Sequence, residues 1–325
     1  MFFLIVSEFD LINKYFKSAT AERSDVILGI GDDAAVLQAP ANMQLVMTAD
    51  TLIASVHFPQ NTSAVDIGYK ALAVNLSDLA AMGAMPAWAM LAISLPTADE
   101  HWLRDFMQGF SELARLHGVQ LIGGDTTSGP LSITVQLTGF VAPGKLMRRD
   151  KAKAGDKIYV SGTLGDAALG LQYALQKIST ATPLPYCLSR LNRPEPRVSL
   201  GRELIAFNRC GIDVSDGLLA DLGHITRASG CAATIHLDQL PLSDELKAYF
   251  GNDCDWSLIV TGGDDYELCF TLPAQHGFVL DAIAKKLQIQ LTCIGEIVAG
   301  DGVQCFDSGG GAVNFDKSGY NHFVK

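Results

Sequence analysis

The chain has 325 residues, 48% of them hydrophobic and 18% charged, with a net charge of −11. That composition excludes a disordered chain and allows one large domain or two of ordinary size. The acidic balance argues against a general nucleic-acid or membrane-surface binder but leaves room for a local phosphate site. Seven cysteines, from Cys187 to Cys305, are scattered without a C-x-x-C pair. Neither a zinc site nor a disulfide framework is signalled, and reduced thiols in a cytoplasmic protein are expected. The apolar start, Met1 to Val6, is too short for a signal core, and the longest later apolar run, Ala87 to Leu95, is half a membrane span.

In chain order, Ser7-Glu8-Phe9-Asp10 predicts the cap of a short helix through Phe16. Gly29-Ile30-Gly31-Asp32-Asp33-Ala34 follows. Its Gly-x-Gly-x-x-Ala spacing is that of a dinucleotide loop, but a pyrophosphate held there would face two carboxylates. A cation between them turns repulsion into attraction, so the stretch reads better as a metal–phosphate loop. Leu45 to Asp50 predicts a strand ending in a carboxylate. Ser63-Ala64-Val65-Asp66 predicts a capping box for a buried helix to about Met82 that carries Asp78. Ala87 to Leu95 predicts a strand. Thr97-Ala98-Asp99-Glu100 predicts a second capping box, for a helix ending before Gly118. Val119 to Ile122 then runs into Gly123-Gly124-Asp125-Thr126-Thr127, and Leu131 to Leu137 alternates as a half-buried strand.

The polar, basic run Ala142 to Asp156 marks a domain boundary, giving domains 1–142 and 143–325. Beyond it come strand Lys157 to Ser161, a glycine turn into a helix, and a proline-rich connection from Thr182 to Arg197. Gly211 to Gly217 predicts a strand entering a helix N-terminus. Strands are expected at Ala232 to Leu237, Tyr266 to Leu272 and Leu291 to Val298, a helix to about Leu287, and hairpin turns from Gly300 to Gly311.

The chemistry lies in the carboxylates. Asp32, Asp33, Asp50, Asp125, Asp213, Asp216, Asp264 and Asp265 stand at strand ends or in glycine turns, and Asp78 adds one from a helix. Any one alone reads as a turn or cap aspartate. Jointly they place acids along one sheet edge, an unfavourable arrangement unless divalent cations with oxygen ligands neutralise it. Asp32 has the weaker claim, as a turn cap. Six of the 24 basic residues fall between Lys145 and Lys157, where one arginine clamping phosphate competes with a solvated linker. G-x-x-x-x-G-K-[ST], His-Arg-Asp and Asp-Phe-Gly are all missing, so a phosphotransferase here belongs to neither the P-loop nor the protein-kinase class. No Ser-His-Asp or Cys-His set stands out.

Taken together, Gly29 to Ala34, Thr48-Ala49-Asp50-Thr51, Lys70 to Gly83 with its Asn75-Leu76-Ser77-Asp78, Gly123 to Thr127, Asp213-Val214-Ser215-Asp216-Gly217 and Gly263-Asp264-Asp265-Tyr266-Glu267-Leu268 resemble the thiamine-monophosphate kinase family. That family belongs to the aminoimidazole ribonucleotide synthetase superfamily. The resemblance implies an N-terminal α/β domain whose sheet pairs across a homodimer, and a C-terminal α+β domain. It implies ATP-dependent phosphorylation of thiamine monophosphate to thiamine diphosphate with several Mg²⁺ ions. Carried over, Asp33, Thr48, Ala49, Asp50, Asp78, Asp125, Asp213 and Asp216 would hold metal, Ala49 only through its carbonyl. Gly124, Asp125, Arg149 and Ser215 would touch ATP; His57, Asp264 and Tyr320 would face the substrate. Asp264 stands where a glutamate is usual in the family. The alternatives are a metal-dependent phosphohydrolase and another ATP-dependent synthetase of the superfamily, although selenophosphate synthetase would show a reactive cysteine near its start and none precedes Cys187.

Overall fold

The computed structural model describes residues 8–208 and 210–320. Close backbone contacts divide the chain into two units, Met1–Leu79 with Met85–Pro143, and Ala80–Ala84 with Gly144–Lys325. The expected cap residue Ser7 lies outside the described residues.

The first unit opens with a helical turn, α1 (Glu8–Leu11), that widens into a π-type turn over Ile12–Phe16. Two short strands, β1 (Val26–Leu28) and β2 (Val36–Leu37), pair antiparallel around the glycine–aspartate loop. The sheet contains β3 (Gln44–Ile53), β4 (Met85–Leu95), β5 (Gln120–Ser128) and β6 (Ser132–Val141) in the order β3-β6-β4-β5. Only β4 and β5 are parallel, joined through the helix α3 (Glu100–Leu116) as a crossover needs. The other long helix is α2 (Ala64–Ala81), entered as its capping box requires: the Ser63 hydroxyl accepts the Asp66 amide at 3.1 Å. α3 departs from expectation. Its cap is Asp99, whose carboxylate accepts the amides of His101 and Trp102, so Thr97 plays no capping part.

The two helices touch backbone to backbone. A Cβ on Gly68 would stand 1.9 Å from the Phe106 carbonyl oxygen, and one on Gly109 would stand 1.8 Å from that of Val65. Gly109→Ala is therefore expected to cost about 1–3 kcal/mol by overpacking, read as a lower urea midpoint.

Both acid-bearing strands run further than the sequence suggested. β3 continues through Asp50 to Ile53 because Thr51, Leu52 and Ile53 keep pairing with β6. β5 runs through Gly123-Gly124-Asp125 to Ser128, paired with β4 throughout. A bulge at Ile122 puts Leu121 and Ile122 both in the core and re-aims the strand just before that motif.

The second unit is built on a seven-stranded mixed sheet. Its strands are β7 (Asp156–Ser161), β8 (Cys210–Val214), β9 (Ala232–His236), β10 (Glu267–Pro273), β11 (Leu291–Val298), β12 (Gly302–Phe306) and β13 (Ala312–Val313), in the order β13-β12-β9-β11-β7-β10-β8. Only β12 and β9 run parallel. Around it lie α4 (Asp166–Ala174), α5 (Pro185–Asn192), α6 (Val198–Leu204), α7 (Leu218–Ser229), α8 (Asp244–Phe250), α9 (Trp256–Thr261) and α10 (Phe278–Leu287). The stretch expected to be an irregular connection holds α5. Pro185 occupies the first helical turn, where its missing N–H costs nothing, and Cys187, Arg190 and Leu191 face inward.

Candidate functional site

Within the first unit the glycine–aspartate loop, the π-type turn and β5 enclose a cleft of about 520 Å³. Asp32, Asp33, Gly124 and Asp125 line it together, with an apolar wall from Phe9, Ile12, Met90 and Leu121, and Lys17 beside the acids. Asp32 caps the turn by accepting the Asp33 amide at 2.8 Å, which leaves the exposed Asp33 side chain at the rim. Gly124 sits at φ +148° with its Cα facing the Leu91 backbone, and a Cβ there would stand 1.8 Å from the Leu91 carbonyl oxygen. No other residue fits that approach.

A second group stands on β3 and α2. The period of two turns Thr48, Asp50 and the buried Leu52 to one face of β3, while Ala49 with Leu45, Met47 and Ile53 is exposed on the other. Ala49 can therefore offer only its carbonyl on the acid side. The Thr48 hydroxyl donates to Asp78 Oδ2. Asp50 lies close enough to Asp78 that burial, and then the neighbouring negative charge, push its carboxyl up to about 6. His57 follows β3 in a tight loop, its Nδ1 accepting the Ile53 amide at 3.0 Å.

These donors fit a divalent cation. They are hard oxygens, two carboxylates and a hydroxyl, and the two carboxylates lie close enough to repel each other. Among the described residues no three His, Cys, Asp or Glu side chains form a ready-made metal cluster.

The second unit gathers another set. Asp213 is buried in β8, and Ser215 and Asp216 form the turn into α7. The Ser215 carbonyl accepts the Asp264 amide at 2.8 Å, and the Asp216 carbonyl accepts the Tyr320 amide at 2.9 Å. The structure thus brings Asp216, Asp264 and Tyr320 around one turn. Sequence reasoning missed what holds that turn. Asp221 Oδ2 accepts the amides of Ser215, Asp216 and Gly217 at 3.0, 3.0 and 3.2 Å. Burial, and then Asp216, push the Asp221 carboxyl up to about 7. The only sequence signal was an acid in the first turn of a helix that follows glycine.

Of the two arginines in the basic run, Arg148 is tied to Asp150 by two hydrogen bonds, at 2.8 and 2.7 Å. Arg149 is exposed and, among the described residues, has no carboxylate partner.

Residues 31–141 match the N-terminal domain of the AIR synthase related protein family, and residues 153–308 match its C-terminal domain. The chain is 46% identical over 320 residues to the thiamine-monophosphate kinase of Escherichia coli K12, covering 98% of each. A solved thiamine-monophosphate kinase from Stenotrophomonas maltophilia K279a is 53% identical with a TM-score of 0.85, over 92% of this chain and 96% of that one. The structure of AaThiL complexed with AMPPCP and TMP is 30% identical with a TM-score of 0.77, over 99% of both chains. Full-length kinship of this order, on a two-unit fold with matching domain families, makes the chain a member of the thiamine-monophosphate kinase family.

Proposed function

We propose that the chain transfers the terminal phosphoryl group of ATP directly to thiamine monophosphate, giving ADP and thiamine diphosphate. The observation that carries the reading is the full-length kinship to thiamine-monophosphate kinases, one relative of which has been seen with AMPPCP and TMP together. The acceptor is a phosphate, largely dianionic at neutral pH, and needs no general base. This fits a site built of carboxylates and glycines without a nucleophile–base pair.

Asp33, Thr48, the Ala49 carbonyl, Asp50, Asp78, Asp125, Asp213 and Asp216 are the proposed Mg²⁺ ligands. When bound, the cations neutralise the charge that keeps two anionic phosphates apart. Gly124, Asp125, Arg149 and Ser215 are proposed to hold ATP. His57, Asp264 and Tyr320 are proposed for the substrate, where the negative charge of Asp264 suits the cationic thiazolium ring. Domain boundaries at 1–142 and 143–325 put the first metal group and the arginine on separate domains. A second copy of the chain is the proposed partner. It would cover the exposed apolar residues Leu45, Met47 and Ile53 on β3. No described helix is long and apolar enough to cross a membrane, and the cytoplasm, where ATP is abundant, is the proposed location.

The test is product analysis with ATP plus thiamine monophosphate, thiamine, or no acceptor. ADP and thiamine diphosphate formed only with the monophosphate are the expected result. Free phosphate released without a phosphorylated acceptor means hydrolysis instead.

A further inference from the structure

Beside the Asp216 turn lies a basic surface. The turn Arg149–Lys151 is docked on α7: the Ser229 hydroxyl donates to the Arg149 carbonyl at 2.9 Å and accepts the Ala152 amide at 3.1 Å. His224 and Arg227 stand one turn apart on α7, both exposed. Arg227 Nη2 lies 3.1 Å from His224 Nδ1. Among the described residues, neither Arg149 nor Arg227 has an acidic partner, in a chain whose net charge is −11.

The arrangement fixes what the three side chains present. Partial burial, and then the charges of Arg227 and Arg149, hold the His224 imidazole below its ordinary range, with Asp216 pulling the other way. A neutral ring whose Nδ1 accepts from Arg227 keeps its proton on Nε2 and so offers an N–H donor. Two guanidinium groups and one neutral N–H therefore gather next to the turn that carries Ser215. Guanidinium forks match phosphate oxygens in pairs.

We infer that Arg149, His224 and Arg227 form one anion subsite that grips the polyphosphate of the nucleotide, so that His224 and Arg227 are further ATP-binding residues. The inference rests on ATP being the phosphoryl donor.

Steady-state kinetics test it, with ATP varied at saturating thiamine monophosphate. Arg227→Ala and His224→Ala are compared with Arg202→Ala, which removes an exposed arginine from α6 and controls for net charge. The KM for ATP is expected to rise about tenfold in Arg227→Ala and about fivefold in His224→Ala, the scale of one lost charge-assisted or neutral hydrogen bond. The KM for thiamine monophosphate is expected to move less than twofold, and Arg202→Ala to match the parent. His224→Gln, which keeps a donor near the Nε2 position, is expected to recover at least half of the loss. Calorimetry without turnover should show a larger loss of affinity for ADP than for AMP in Arg227→Ala. An unchanged KM for ATP with unchanged ADP affinity overturns the subsite, as does an equal rise in the KM of both substrates. Absence of thiamine diphosphate from the parent enzyme would instead overturn the kinase reading, so the two failures are distinguishable.

Discussion

Asp78→Asn is expected to lose at least about a hundredfold in turnover, the value of several kcal/mol of cation-based charge stabilisation. The same substitution is expected to leave the metal-free protein no less stable than the parent at pH 7.5. Activity and stability separate because of how Asp78 sits. It accepts the Thr48 hydroxyl and faces Asp50, whose carboxyl is pushed up to about 6 by burial and by Asp78 itself. Asparagine still accepts the Thr48 hydroxyl, but the repulsion disappears. The sign follows from proton binding. The unfolded chain releases the Asp50 proton near its ordinary value of 3.8, the folded one only near 6. Stability from this group is therefore full at low pH and declines as pH rises from about 4 to 6. Above that range the ion-free parent carries two neighbouring carboxylates, whose mutual repulsion Mg²⁺ would relieve. Thermal denaturation should show Mg²⁺ raising the parent's Tm more at pH 7.5 than at pH 5.0, and raising that of Asp78→Asn little at either pH. A large Tm loss in metal-free Asp78→Asn would mean that Asp78 serves the fold rather than the ion.

The same contrast decides what was legible in the sequence. Acids in glycine turns announce themselves by spacing, so Asp32, Asp33, Asp50, Asp125, Asp213 and Asp216 could be singled out before any coordinates. Elements with a clear period were equally readable: β11 occupies Leu291–Val298, the span expected, and α2 begins at its capping box. Strand ends were not readable. Nothing local tells Thr51 or Thr126 to keep pairing; their partners on β6 and β4 do that. Short helices such as α5, α8 and α9 were missed because two turns give too little period to recognise. Residues that act through backbone amides or buried charge were also missed. Asp221 lies in no motif, and Glu267, although inside the Gly263–Leu268 stretch, was given no role; only their surroundings reveal what they do. Nor does the sequence show that the acids gather as separate sets, one on the first unit's strands and one around the Asp216 turn.

Glu267 leads to the largest expected loss of stability. Its carboxylate is fully buried and accepts from Arg190 at 2.7 Å, from Arg197 at 2.7 and 2.6 Å, and from the Ser161 hydroxyl at 2.6 Å. Arg190→Met strips that buried carboxylate of one of its two guanidinium partners and is expected to cost about 1.5–3 kcal/mol, the value of a hydrogen bond to a charged group, measured by urea denaturation. Arg190 does more than balance charge. The same Nη2 donates to the Asp265 carbonyl at 2.8 Å, and the buried Asp265 carboxylate accepts the Gly165 amide at 2.8 Å. On either side of Asp265, Asp264 and Tyr266 lie in the left-handed region, at φ +71° and +50°. Such backbone costs on the order of 1 kcal/mol per residue and persists only where its surroundings hold it. Here the amides of Asp264 and Tyr266 are fixed on the Ser215 and Val214 carbonyls, both at 2.8 Å, and Arg190 pins the peptide between them. Without Arg190 the turn can relax and Asp264 moves from its place. Arg190→Met is thus expected to raise the KM for thiamine monophosphate several-fold while sparing that for ATP. Arg197→Met is the control. It strips Glu267 of two hydrogen bonds but touches no atom of the turn, so it should match the stability loss and leave the KM for thiamine monophosphate near the parent's. Equal kinetic effects in the two variants would show that Arg190 only balances charge, and that the strained turn holds its shape without it.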